Sequence, residues 1–154
     1  ALVTAKKEGD SFTESMALEL LAEANYKLGE YETSLRYFNR AANLYSSINK
    51  PEFAAKSLLG MARVYEASQN LDLAIQQLEA GIKTLKNIPN KNVYLELILK
   101  LGNLHLSQKN FKQAKQYGIE ALTLLNNQAT SVYNKNKALI DLYLIHISEP
   151  TRPY

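Results

Sequence analysis

Few residues in this sequence have the types and spacing that catalysis or metal binding requires. The chain has two histidines, His105 and His146, and no cysteine, which excludes thiol catalysis, disulfides and cysteine-based zinc sites. Histidines so far apart lack the spacing of zinc ligands, and the six glycines form no phosphate-binding loop. Glu19 and Glu23 are one helical turn apart, but a solvated helix surface explains them better than an acid–base pair. We therefore predict no catalytic residues, no metal and no cofactor, and expect a protein that is not an enzyme.

Two clusters of lysine are the next candidates for a binding site. They are Lys109, Lys112 and Lys115, and Lys83, Lys86 and Lys91. No row of aromatic residues accompanies them for base stacking, and a net charge of +3 is weak over a surface of this size. We interpret both clusters as solvated surfaces and expect no nucleic-acid partner. His105 occupies the same repeat position as Asn25 and Tyr65, which favours a packing role for its ring.

The length and composition describe the scaffold that positions any such residue. The chain has 154 residues, of which 46% are hydrophobic and 21% charged, a balance typical of one soluble domain with a substantial core. No apolar run reaches the ~18–20 residues that a membrane-spanning helix needs. We expect a cytoplasmic protein without a membrane span.

The sequence repeats itself at an offset of 40 residues. Small residues recur at aligned positions: Ala22, Ala62 and Gly102; Ser34, Ala74 and Ala114; Ala41, Gly81 and Ala121. Large apolar residues recur in the same register: Leu18, Leu58 and Ile98; Tyr31, Leu71 and Phe111. A two-helix unit cannot bury its apolar stripe alone, and small residues let neighbouring helix axes approach to ~8–10 Å. The repeat therefore predicts stacked helix pairs.

Each unit has the pattern of two helices, called helix A and helix B in chain order, joined by a short turn. In the first unit, a capping box at Ser11 and Glu14 predicts a helix over Phe12–Leu28, followed by a turn and a helix over Tyr31–Tyr45. The remaining predicted helices are Pro51–Ser68, Leu71–Leu85, Lys91–Gln108 and Phe111–Asn126, with turns at Gly29-Glu30, Gln69-Asn70 and Lys109-Asn110. No segment alternates with period two, so the sequence predicts an all-α protein.

The order of small and aromatic residues resembles the tetratricopeptide repeat. In the first unit the matching residues are Ala22, Tyr26, Gly29-Glu30-Tyr31, Ser34, Phe38 and Ala41. The resemblance implies a right-handed α-solenoid of antiparallel helix pairs. The period of 40 exceeds the ~34 residues usual in this family, but HEAT and armadillo repeats, which share the longer period, lack this pattern at the turn.

The resemblance covers residues 1–143. It predicts a partial unit over residues 1–10, repeats at about 11–50, 51–90 and 91–130, and a partial unit over 131–143, where Ala138–Tyr143 fits a further helix A. Residues 144–154 depart from the pattern and resemble translated sequencing-adapter read-through, which predicts a non-native tail; an ordinary tail stopped by Pro150 and Pro153 is the alternative. We expect a fragment whose uncapped ends could self-associate.

The resemblance also implies a binding surface, because this family binds peptides or partner helices through helix A side chains on its concave face. The corresponding positions are Glu19, Glu23, Lys27, Lys56, Arg63, Glu66, Lys100, Asn103 and Ser107. Members that clamp a terminal carboxylate have Lys and Asn where this chain has Glu19 and Glu23, so like charge disfavours that ligand. We predict a ligand with basic residues near the first unit and acidic residues near Lys56, Arg63 and Lys100.

Together these features predict a non-catalytic scaffold that binds a protein or peptide in the concave groove. Longer-period arrays of this family commonly adjoin histidine-kinase or DNA-binding regions. The resemblance therefore also implies an alternative, a sensing or coupling segment of a larger signal-transduction protein such as a sensor kinase or transcriptional regulator. Neither interpretation identifies the partner.

Overall fold

The computed structural model describes residues 2–127 and 132–148, and these residues form helices without any strand. The helices are α1 (Leu2–Lys27), α2 (Tyr31–Ser47), α3 (Pro51–Ala67), α4 (Leu71–Thr84), α5 (Asn92–Ser107), α6 (Phe111–Asn127) and α7 (Val132–Ser148). The predicted bounds of α2 to α6 agree to within two residues. Helices α1 to α4 form one compact unit, and α5 to α7 form a second. These compact units, and not the single repeats, are called the first unit and the second unit from here on. Within the described ranges, no helix is both long and apolar enough to cross a membrane.

Helix α1 begins well before the predicted start at Phe12. It runs without interruption from Leu2 to Lys27, so the predicted capping box at Ser11 is wrong. The Ser15 hydroxyl donates to the Ser11 carbonyl at 2.7 Å, as it does inside a helix. The preceding residues contain no proline, and continuing the helix satisfies more backbone groups than a cap does.

Helix α7 extends beyond the predicted segment Ala138–Tyr143 on both sides. Residues 144–148, which we assigned to a non-native tail, continue the helix, and Ile145 is buried. The physical reason is that Leu144, Ile145 and Ile147 prolong the apolar spacing of the helix. The rest of that predicted tail, residues 149–154, lies outside the described residues.

Four helices end in one hydrogen-bonded motif. After α1, α2, α3 and α5 a single residue has a positive φ: Gly29 at 80°, Asn49 at 56°, and Gln69 and Lys109 at 62°. The next amide then donates to the carbonyl five residues earlier, as Asn110 does to His105 at 2.8 Å. This Schellman motif satisfies carbonyl groups that a helix end leaves open. The predicted turns at Gly29, Gln69 and Lys109 are confirmed.

The left-handed residue of this motif provides a stability prediction. Lys109→Gly should stabilise the protein by about 0.5–1 kcal/mol, because a side chain with Cβ is strained at positive φ whereas glycine is not. The free energy of urea unfolding measures the change. Gln116→Gly, at an exposed position in the interior of α6, is the control and should destabilise by ~1 kcal/mol. A loss of stability in Lys109→Gly would contradict the proposed strain.

Helices A and B of a pair meet at the small residues that the repeat singles out. In the first unit the buried Ser34 hydroxyl donates to the Ala22 carbonyl at 2.7 Å, so the two small positions touch directly. In the second unit, a methyl group at Gly102 would lie 3.4 Å from Cβ of Tyr117 and 3.8 Å from the Ala114 carbonyl oxygen. Helices α1 and α2 are antiparallel. Tyr26 contacts Tyr31 at one end of the pair, and Phe12 contacts Tyr45 at the other.

Aromatic residues join three helices of the first unit at the end opposite the α1–α2 turn. Phe12, Tyr45 and Phe53, from α1, α2 and α3, have ring centroids 5.1–5.6 Å apart. Edge-to-face and stacked pairs of this kind add to the gain from burial. The cluster holds the two A helices, α1 and α3, against the shared helix α2, and so sets the spacing of the predicted binding residues.

Candidate partner-binding surface

The predicted binding residues lie on three helices. Glu19, Glu23 and Lys27 are on α1, Lys56, Arg63 and Glu66 are on α3, and Lys100, Asn103 and Ser107 are on α5. The first six belong to the first compact unit and the last three to the second. Lys27, Lys56 and Ser107 are exposed, and the other six are partly buried.

Glu23 and Arg63 form an ion pair that joins α1 to α3. They occupy the same position in successive repeats, 40 residues apart. The Arg63 guanidinium also lies 5.6 Å from the centroid of the Tyr26 ring, within range of a cation–π interaction. Both charges are therefore already partnered within the protein, which the sequence prediction did not anticipate.

Glu19 is also engaged within the first unit, by two hydrogen bonds. It accepts hydrogen bonds from the Tyr45 hydroxyl at 3.0 Å and the Ser57 hydroxyl at 2.6 Å, so it links α1 to both α2 and α3. Burial and then the hydrogen bond to Glu19 raise the pKa of Tyr45 far above its usual value. Glu19 is therefore a structural residue of the interface between helices.

The role of Glu19 provides a second prediction. Glu19→Gln should destabilise the protein by about 1–1.5 kcal/mol, because hydrogen bonds to a charged acceptor are stronger than those to an amide. Urea unfolding at neutral pH measures the loss. Glu79→Gln, an exposed carboxylate on α4, is the control and should change stability by less than ~0.5 kcal/mol. Equal effects of the two substitutions would show that the hydrogen bonds of Glu19 add no measurable stability.

The first unit presents cations around a tyrosine ring. The Lys27 ammonium lies 5.6 Å from the centroid of Tyr26, so Lys27 and Arg63 both lie near one ring. We call Tyr26, Lys27 and Arg63 the Tyr26 patch. Lys56 is exposed elsewhere on α3. Because Glu19 and Glu23 are engaged internally, the most accessible predicted charges here are Lys27 and Lys56.

Ser107 and Asn103, two of the predicted residues on α5, make hydrogen bonds within the second unit. The Ser107 hydroxyl donates to the Leu104 carbonyl at 2.7 Å, and the side chain of Asn103 is hydrogen-bonded to Asp141 on α7. Asp141 is 9% exposed, and its Oδ2 atom has no hydrogen-bond partner among the described residues. Sequence analysis missed Asp141, although it aligns with Leu21, Met61 and Leu101 and is the one charged residue at that repeat position.

The two histidines are structural or surface residues. The His105 ring stacks on Tyr117, with centroids 5.7 Å apart, in agreement with the predicted packing role. His146 lies on α7 beside a groove between α6 and α7. Among residues 2–127 and 132–148, no three His, Asp or Glu side chains are grouped so that they could hold a metal ion.

Comparisons with known proteins agree with this architecture. Residues 12–87 match the family model described as tetratricopeptide repeat. COP9 signalosome complex subunit 2 of Schizosaccharomyces pombe is 24% identical over 135 residues, which are 85% of this chain but only 31% of that protein. The chain thus spans about a third of that curated relative.

Solved structures of similar fold include three with low sequence identity. BtubC (BKLC) from P. vanneervenii has a TM-score of 0.74 and 14% identity, over 87% of this chain and 56% of that one. The TPR domain of Arabidopsis OM64 has a TM-score of 0.64 and 17% identity, over 89% and 98%. The TPR domain of Sgt2 from Aspergillus fumigatus has a TM-score of 0.60 and 19% identity, over 92% and 87%. Such likenesses establish the fold alone, an all-α solenoid of the tetratricopeptide type.

Proposed function

We propose that this chain, which belongs to the tetratricopeptide-repeat family, is a non-catalytic protein-interaction scaffold that binds a peptide or partner helix through its helix A side chains. The observation that carries the proposal is the Tyr26 patch, where the exposed ammonium of Lys27 lies 5.6 Å from the centroid of the Tyr26 ring, beside the predicted binding residues. An aromatic ring with a flanking cation suits a peptide that has an apolar side chain beside a carboxylate.

The internal contacts of Glu19 and Glu23 modify the predicted ligand. Since both carboxylates already have partners in the first unit, they offer little attraction to basic ligand residues. The exposed Lys27 and Lys56 instead favour acidic residues in the ligand. We therefore propose an acidic peptide segment as the ligand of this unit, and no nucleic acid.

Peptide selection followed by calorimetry tests the proposal. Random peptides displayed on phage are selected on the full chain, and the selected peptides are titrated against variants. Lys27→Ala and Lys56→Ala should each weaken binding several-fold, and the double variant about tenfold or more, which is ~1.4 kcal/mol. Lys83→Ala, an exposed lysine on the B helix α4, should leave affinity unchanged. Selected peptides without acidic residues, or an unaffected double variant, would refute the proposal.

A role within a larger assembly is compatible with the same surface. COP9 signalosome complex subunit 2 is by its name a subunit of a complex, and this chain matches 31% of it. We propose on that basis that the repeats hold a partner subunit in the cytoplasm. The alternative, a coupling segment of a sensor kinase or transcriptional regulator, predicts that ligand binding changes the activity of an attached domain. Self-association through the terminal helices remains a proposal that sedimentation would test.

A further inference from the structure

Two arginines lie one helical turn apart on α2. Arg36 and Arg40 account for half of the chain's four arginines, and the positions that correspond to them in α4 hold Gln76 and Ala80. The repeat does not require these cations, because α4 forms the same kind of helix without them. Like charges at this spacing destabilise a helix, so the pair is unfavourable until an anion offsets it.

The two arginines line a cavity on the surface of α2. Its volume is about 290 Å³, and the described residues that line it are Thr33, Arg36, Tyr37 and Arg40, which share one face of the helix. Nη2 of Arg36 donates to the Thr33 hydroxyl at 3.4 Å, and the Tyr37 hydroxyl has no hydrogen-bond partner among the described residues. This α2 cavity thus combines two guanidinium groups with two hydroxyl groups, all of which can donate hydrogen bonds.

The positive charge of the α2 cavity is only partly balanced. Arg40 forms an ion pair with Glu14 on α1, in which the two side chains are 63% and 45% exposed. Exposed ion pairs are weak, so an anion with more than one charge can compete with Glu14 for Arg40. No carboxylate in residues 2–127 or 132–148 forms an ion pair with Arg36. Arg36 is therefore the cation that is open to a ligand.

The array leaves this face of a helix B open. Helix α4 is the next helix B after α2 in the first unit, and the two helices make no contact with each other. At the equivalent positions of α4, Leu73, Gln76 and Ala80 are exposed, although the complete helix pair α1–α2 precedes this helix. The α2 cavity therefore stays accessible whether or not further repeats precede α1.

The donor groups specify the chemistry of the ligand. Guanidinium groups bind carboxylates and phosphates through paired N–H groups. A phosphate monoester has three strong acceptor oxygens and a charge of about −1.5 to −2 at pH 7, whereas a carboxylate has two oxygens and a single charge. Two guanidinium groups and two hydroxyl groups match the phosphate better. Because one helix provides all the described lining, the cavity holds the phosphate and leaves the rest of the ligand on the surrounding surface.

We propose that the α2 cavity binds a phosphorylated side chain of a partner protein. Arg36 and Arg40 bind the phosphate oxygens, and the hydroxyl groups of the cavity donate to the same phosphate. Glu14 competes with the phosphate for Arg40. The cavity is on a helix B, whereas the Tyr26 patch consists of helix A residues, so either site can fail without the other.

Peptide selection followed by NMR titration tests the proposal on the full chain. A synthetic library of short peptides, each with a central phosphoserine between random residues, is selected for binding. The selected peptides should bind about tenfold more tightly than inorganic phosphate, and about fivefold more tightly than the same peptides with glutamate in place of phosphoserine. In the isotope-labelled chain, the signals that shift on binding should include the side-chain N–H of Arg36.

Substitutions around the α2 cavity separate the contributions of its charges. Arg36→Gln should weaken binding of the selected phosphopeptides about fivefold, because it removes the cation that no carboxylate offsets. Glu14→Gln should strengthen binding about two- to threefold, because it removes the competitor for Arg40. Lys83→Gln removes an exposed cation from α4 and is the matched control, which should leave Kd unchanged.

Several results would overturn the proposal. They are equal affinity for the phosphoserine and glutamate peptides, and phosphopeptide binding that is unchanged in Arg36→Gln, a substitution at an exposed position whose folding circular dichroism can check. Selected peptides that bind no more tightly than inorganic phosphate would assign the cavity to free phosphate instead. Arg36-dependent binding that is tighter to a single-stranded oligonucleotide, or to phosphatidylcholine vesicles containing phosphatidic acid, would assign it to a nucleic acid or to a lipid headgroup.

Discussion

Phe38→Ala should lower the free energy of unfolding by about 3–5 kcal/mol, a large part of the 5–15 kcal/mol typical of a folded domain. Phe38 on α2 is 3% exposed and packs with Ala22, Met61 and Val64 in the core of the first unit. Removing its ring forfeits the burial of the ring and leaves a cavity between α2 and α3. Urea unfolding measures the loss, and Leu28→Ala, at a side chain that is 74% exposed, is the control with little expected effect.

The glycine that faces Phe38 makes this prediction sharper. A methyl group at Gly60 on α3 would lie only 2.5 Å from the ring carbon Cε1 of Phe38. In the natural background, Gly60→Ala should therefore destabilise, because overpacking costs about 1–3 kcal/mol against a helix-propensity gain of at most ~1 kcal/mol. In the Phe38→Ala background the same substitution should stabilise. Effects of the same sign in both backgrounds would mean that the ring does not require the glycine.

Much of the fold could be predicted from the sequence because each local pattern of helix and turn residues occurs several times along the repeat. The turns at Gly29, Gln69 and Lys109 stand at one repeat position, although only the first has the glycine that its φ favours. The start of α1 could not be predicted from Ser11 and Glu14, since a cap competes with continued helix formation and the outcome depends on all the preceding residues. A local motif that occurs once carries less information than a repeated one.

The binding surface was harder to predict for a different reason. Helical spacing places Glu23 and Arg63 on the same face of successive A helices, but it does not say that they contact each other. Their separation of 40 residues, equal to the repeat, was an available signal: opposite charges at one repeat position can pair across stacked helices. Ser57 with Glu19, 38 residues apart, follows nearly the same rule. Predicted ligand contacts at such positions compete with contacts inside the array.

Asp141→Asn should raise the free energy of unfolding at pH 7 by about 1–3 kcal/mol, because an amide avoids the desolvation cost of a buried ionised carboxyl. Asp141 is charged where Leu21, Met61 and Leu101 are apolar, and burial raises its pKa against the opposing effects of Lys137 and Asn103. A carboxyl whose pKa is raised by folding binds its proton more tightly in the folded state. The contribution of this proton binding to the free energy of unfolding is complete below the ordinary pKa of about 3.9, and it disappears as pH rises through the pKa of the folded state.

Urea unfolding of both proteins at each pH gives the difference in free energy of unfolding between Asp141→Asn and the natural chain. This difference, the advantage of the variant, should be small near pH 4 and grow toward pH 7. Lys137→Met should steepen this dependence, because it removes the cation that lowers the pKa of Asp141. Asp10→Asn, at an exposed carboxylate of α1, is the control and should give a difference within ~0.5 kcal/mol at every pH. An advantage that is the same at pH 4 and pH 7 would mean that the titration of Asp141 does not cause it, and would attribute it to the packing of the amide. Growth with pH would instead show that α7 docks on α5 against an electrostatic cost, one that the apolar residues at the same position of the earlier repeats avoid.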